Sequence, residues 1–66
     1  MNPQRIAALF SRLIDMEIDN HSPLDFETVF DFAGEHINHE DDDAIEQTQA
    51  LAEALDLMLM SARALS

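Results

Sequence analysis

Glu27, Asp31 and Glu35 stand four residues apart. On an α-helix that spacing sets three carboxylates in one row, with Cβ atoms ~6 Å apart. Negative charge repeated at this interval is comparable with the phosphates along one nucleic-acid strand. The chemistry on offer is therefore charge-assisted hydrogen bonding to arginines and lysines of a partner. Like charges four apart destabilise an isolated helix, so the row has a folding cost with no return visible in the sequence. Asp41, Asp42 and Asp43 extend the same sign a few residues further on. These six acids are the candidate partner-binding residues. They belong to a longer stretch, Asp15 to Glu46, that holds twelve carboxylates and no Lys or Arg. Phe26, Val29, Phe30, Phe32 and Ile37 are threaded through it, which points to a folded surface of one sign, because a disordered acidic segment would lack such residues. The competing reading of the acids is a solvated face that keeps a small protein soluble.

Other chemistries find less support. Asp15, Glu17 and Asp19 match the first, third and fifth positions of a calcium loop, but Asn20 stands where the loop needs glycine and Phe26 where it needs a closing glutamate. His36, His39, Glu40 and Asp43 form a cluster in which His36 and Glu40 share a face if the second helix persists, and imidazole with carboxylate suits zinc or nickel. Nothing in the sequence orients those imidazoles, so surface histidines in an acidic loop are the expectation, with no metal and no cofactor. Catalysis is not expected either. Cysteine and lysine are absent, the serines have no histidine and aspartate at a suggestive spacing, and a single glycine cannot build a phosphate loop.

Sixty-six residues make one domain, 1–66. A chain this short buries only about 60% of its unfolded surface and needs a supplement. Without cysteine that supplement is not a disulfide, and oligomerisation or a bound partner takes its place. A formal net charge of −11 argues against direct binding to a nucleic-acid backbone or to anionic lipid and favours a basic protein surface. No targeting segment is evident, and the longest weakly charged stretch, Leu57 to Ala62, is far short of the ~20 residues that span a bilayer. A cytoplasmic protein is expected.

Three helices must position the acids, at about 3–19, 23–38 and 43–64. Asn2 and Pro3 are a good cap and first residue, followed by apolar Ile6, Leu9, Phe10, Leu13 and Met16, with Ile14 and Ile18 widening the stripe. Arg12 and Asp15 are spaced to pair. Ser22 and Pro23 repeat the same opening, with Asp25 three residues after the cap, for a second helix carrying Phe26, Val29, Phe30, Phe32, Ala33 and Ile37. Phe26, Thr28, Phe30 and Phe32 also alternate as a strand would, and the Ser-Pro opening decides for helix. Gly34 either ends this helix at Ala33 or sits inside it at ~1 kcal/mol relative to alanine. The third helix starts from the Asp41–Asp43 cap. It carries the heptad rows Ala44, Leu51, Met58, Leu65 and Ile45, Ala52, Leu59, with Thr48, Leu55 and Ala62 between them. Leu57 and Met60 fall outside these rows, so its final half is apolar on most of its circumference and must be covered on more than one side.

The expected fold is all-α: a small three-helix bundle with the first and third helices packed on the second. Homodimerisation through the C-terminal helix completes it, with Leu51, Leu55, Met58, Leu59, Ala62 and Leu65 forming the seam. In size, acidity and lack of cysteine the chain is similar in kind to small phage- or mobile-element-encoded inhibitors, some of which imitate DNA. That likeness is one of composition and covers no motif. The expected function is a small acidic inhibitor that presents its carboxylates to a basic, nucleic-acid-binding protein. The alternative is a helical adaptor that binds through the apolar face of the C-terminal helix, the acids only solubilising it.

Overall fold

The computed structural model describes residues 2–65, and all three of its elements are helices: α1 (Pro3–Asn20), α2 (Phe26–Glu35) and α3 (Ala44–Leu65). α1 opens as its sequence dictates. The Asn2 side chain accepts the Gln4 amide at 2.8 Å and Pro3 takes the first turn, where its missing N–H costs nothing. The helix closes at His21, whose φ of 59° is left-handed and whose N–H returns to the Ile18 carbonyl. Leu9 and Leu13 are buried, with Ile6, Phe10 and Ile14 packed beside them. The apolar stripe is narrower than its composition suggests, because Ile18 is 64% exposed. The Arg12–Asp15 pair that spacing allows is not formed among the described residues.

α2 departs from expectation at both ends. Its cap is Asp25 rather than Ser22, with Asp25 Oδ1 accepting the Thr28 amide at 2.9 Å and the Thr28 hydroxyl at 2.6 Å. A helix starting at Pro23 would commit the Leu24 carbonyl to the helical ladder. Instead Leu24 is buried as a plug between the helices and both its backbone polar groups are used elsewhere. At the far end α2 stops at Glu35, three residues before position 38. The Gly34 carbonyl would serve residue 38 in a continued helix. It accepts the His39 imidazole at 2.7 Å and the Ile37 amide at 3.3 Å, and Ile37 turns into the core.

Gly34 thus lies inside the helix, without a positive φ. A Cβ there would sit 3.6 Å from Thr48 Cγ2 and 4.0 Å from His39 Cε1, ordinary contact distances. Gly34→Ala is therefore expected to stabilise the fold by about 0.5–1 kcal/mol, through lower unfolded-state entropy and better helix propensity. A thermal melt checks it, and a lowered midpoint would contradict the geometry.

α3 begins where the Asp43 carbonyl takes the Gln47 amide at 2.9 Å. Its buried face is Ala44, Thr48, Leu51, Ala52, Leu55 and Leu59, a three-and-four stripe. Thr48 is the polar member, and its hydroxyl donates back to the Ala44 carbonyl at 2.8 Å. α3 is the central element, since both α2 and α1 pack chiefly on it. The expectation that α2 would be the hub is corrected: the longest helix has the longest buried stripe and collects the other two. Leu51, Leu55 and Leu59, expected on a seam between copies, are 1%, 0% and 0% exposed within the single chain. They are the chain's own core. Of the other seam residues, Met58 and Ala62 are half-buried and Leu65 is exposed.

The ends of the bundle are tied by polar groups. The Arg5 guanidinium donates to the His36 carbonyl, joining the start of α1 to the end of α2. At the opposite end the Arg63 guanidinium pairs with the Glu17 carboxylate and donates to the Leu24 carbonyl at 3.1 Å, while the Leu24 amide donates to Glu17 at 3.0 Å. α1 and α3 therefore finish side by side, with the α1–α2 turn between them.

Candidate functional site

Val29, Phe32 and Ala33 turn inward from α2, which leaves Glu27, Asp31 and Glu35 facing solvent. Among the described residues, no side-chain hydrogen bond or ion pair engages any of these three carboxylates. Asp31 and Glu35 stand on a ridge between two open grooves. On the α3 side is a volume of about 340 Å³ lined by Phe30, Gly34, His39, Ile45 and Thr48. On the α1 side is one of about 330 Å³ lined by Arg12, Met16, Thr28, Phe32 and His36. Asp31 and Glu35 line both. Arg12 lies in the second groove without an ion pair to either acid.

At one end the ridge is unfavourable to its own helix. Glu27 lies in the first turn of α2, where the helix dipole favours an acid. Glu35 is the last residue, where it opposes the dipole, and no basic residue shares that turn.

Asp41, Asp42 and Asp43 are also exposed, but they are not equivalent. The Gln47 side-chain amide donates to Asp43 Oδ1 at 2.6 Å and to Asp41 Oδ2 at 3.2 Å, so these two help to order the start of α3. Asp42 makes no such contact. The structure places all six sequence-chosen acids on the surface and divides them into an unengaged helical row and a partly engaged turn.

The histidine cluster is dispersed. The His36 ring lies against Phe32 with centroids 4.9 Å apart, and His39 caps the Gly34 carbonyl. Because α2 ends at Glu35, His36 and Glu40 do not share a helical face. Among the described residues no three His, Asp or Glu side chains converge where a metal could sit.

Two features escaped the sequence reading. Ile45, placed in a heptad row with Ala52 and Leu59, is 78% exposed at the edge of the groove beside Asp31 and Glu35. Helical phase could have flagged it, since Ala44 and Thr48 already define the inward side. The other is Glu17, grouped with the surface acids but in fact the partner of Arg63. The Arg63 hydrogen bond, and after it the Leu24 amide, hold the Glu17 carboxyl below its ordinary value of 4.5. Asp25 is likewise held below its ordinary value by the Thr28 hydroxyl and then the Thr28 amide. Both acids are engaged in structure and drop out of the free acidic surface. No helix among the described residues is long and apolar enough to cross a membrane.

Comparison with known proteins identifies no relative. No family model, curated protein or solved structure matches the chain. The functional reading rests on the geometry.

Proposed function

We propose that this chain is a small acidic protein-binding inhibitor of the DNA-mimic kind. It would present the Glu27, Asp31, Glu35 ridge and the Asp41–Asp43 turn to a basic surface that otherwise binds nucleic acid. One observation carries this reading: the ridge acids are exposed and, among the described residues, have no side-chain partner, at a cost to the helix that bears them. A purely solubilising face has no need to place Glu35 at the negative end of its own helix. In this reading the working form is a homodimer joined through the C-terminal helix, and the chemistry is recognition, without catalysis or cofactor.

A second reading has its own support. Leu57, Met60 and Leu65 are 63%, 54% and 89% exposed, as expected of an adaptor that docks a partner on the apolar end of α3. The two differ in salt response, because electrostatic docking weakens as screening grows and apolar docking does not.

Glu35→Lys, alone and with Asp31→Lys, tests the proposal. The single change removes a like-charge pair and puts a cation at the helix C-terminus, so the isolated protein should gain a few tenths of a kcal/mol. Capture of partners from a cytoplasmic extract on immobilised protein, read by mass spectrometry, should yield nucleic-acid-binding proteins that elute with salt. The double variant should retain about tenfold less of them. Equal capture by the double variant would overturn the mimic reading.

A further inference from the structure

All fourteen carboxylates lie between Asp15 and Asp56, and all three arginines lie outside that interval. Residues 1–14 and 57–66 therefore contain no Asp or Glu, and the fold brings Phe10 of the first beside the end of α3 in the second. Phe10 of α1 and Leu57, Met58, Ser61, Ala62 and Leu65 of α3 line one open groove of about 400 Å³ with no carboxylate in it. The solvent side of α3 changes character at the same boundary. Before it, the exposed positions are Ile45, Glu46, Gln49, Ala50 and Glu53; after it they are Leu57, Met60, Ser61, Ala64 and Leu65. Glu53 is the last exposed carboxylate of α3, and beyond it three large apolar side chains, Leu57, Met60 and Leu65, face solvent.

We propose that this groove and the adjoining end of α3 are an isologous interface, and that its occupant is the same surface of a second copy. Charge selects the occupant. Two chains of net charge −11 repel wherever acidic surfaces meet, and this groove lets two copies meet on a lining that contains no carboxylate. A two-fold axis through the patch sets Phe10, Leu57, Met58, Ala62 and Leu65 of one copy against the same residues of the other and leaves both α2 ridges outside. The proposal rests on the dimer half of the functional reading, not on its acidic ridge, and it replaces the buried Leu51, Leu55 and Leu59 with Phe10 and Leu57 as seam residues.

Sedimentation velocity and equilibrium on the full chain test it across micromolar to sub-millimolar concentrations. The mass should rise from 7.4 kDa to twice that value and stop. Added salt should tighten the dimer, because screening relieves repulsion between the two acidic bodies while leaving the apolar contact intact. Leu65→Asp and Leu57→Asp, at exposed positions that leave the core untouched, should each weaken the dimer at least tenfold, since a two-fold interface counts each new charge twice. Ile45→Asp, at the equally exposed isoleucine on the other end of α3, should leave it unchanged. A folded monomer throughout the range overturns the proposal. So does growth past two copies that salt dissolves, which would mean that the contacts between copies are charge contacts and not this apolar groove. Equal weakening by Ile45→Asp overturns it as well. None of these results bears on partner capture by the α2 ridge, so the two readings fail separately.

Discussion

Leu55→Ala is expected to destabilise the protein by about 3 kcal/mol, the cost of removing a fully buried leucine and leaving a cavity that closes only in part. Leu55 is 0% exposed and belongs to the core with Leu13, Val29, Leu51 and Leu59. A domain of this size has roughly 3–10 kcal/mol to lose, so the loss should lower the thermal midpoint by about 12–24 °C. Far-ultraviolet circular dichroism during heating and urea titration reads it. Leu57→Ala, two residues along the same helix at 63% exposure, should change monomer stability by no more than about 0.5 kcal/mol. Concentration separates core from seam. A core leucine costs the same at every protein concentration, whereas an interface leucine costs more as the dimer fills. Concentration-dependent loss at Leu55, or equal loss at Leu57 in dilute protein, would show α3 rotated from the position described.

Glu17→Gln and Arg63→Met should each cost about 1–2 kcal/mol near neutral pH, a figure already reduced for the partial exposure of both groups. Arg63 keeps 31% and Glu17 18% of its side-chain surface, and each change strips a partner from a junction that also holds the Leu24 backbone. The pH dependence carries the mechanism. Arg63, first, and the Leu24 amide hold the Glu17 carboxyl below its unfolded value of 4.5. An acid whose folded value is depressed binds its proton more readily when unfolded. Its stabilisation is complete above the unfolded value and is lost as the pH falls through the folded one. Wild-type stability should therefore drop on acidification below about pH 4.5, and Glu17→Gln should flatten that drop, leaving the contribution of Asp25 and its Thr28 cap. A double-mutant cycle isolates the pair, and additive single effects would refute direct coupling. Because protonating the surface acids also relieves self-repulsion, the comparison is between variant and wild type across the same range.

Much of the scaffold is legible in the residues. Caps and periodicity are local: Asn2 and Pro3 satisfy or lack the amides that the next turn leaves open, and the three-and-four spacing of Leu9, Leu13, Leu51, Leu55 and Leu59 follows from the geometry of a helix. The acidic row on α2 is legible for the same reason, since the residues that turn inward fix those that turn outward. The ends of α2 were not legible. Ser22 and Asp25 are equally good caps by type, and the choice fell to Asp25 because Leu24 is needed as a buried plug whose backbone meets Glu17 and Arg63, the latter 39 residues away.

The sequence by itself determined three helices, one acidic surface and an acid-free pair of terminal segments, because hydrophobic period, capping chemistry and the distribution of charge are properties of neighbouring residues. Tertiary structure decided that α3 is the hub, that Leu51, Leu55 and Leu59 fill the chain's own core, that Glu17 is tied to Arg63, and that Phe10 joins Leu57 and Leu65 in one groove. Each of these depends on how one helix is rotated against another. An apolar stripe says that a helix face must be covered. Only the packed bundle says whether the cover comes from the same chain or is left for a second one.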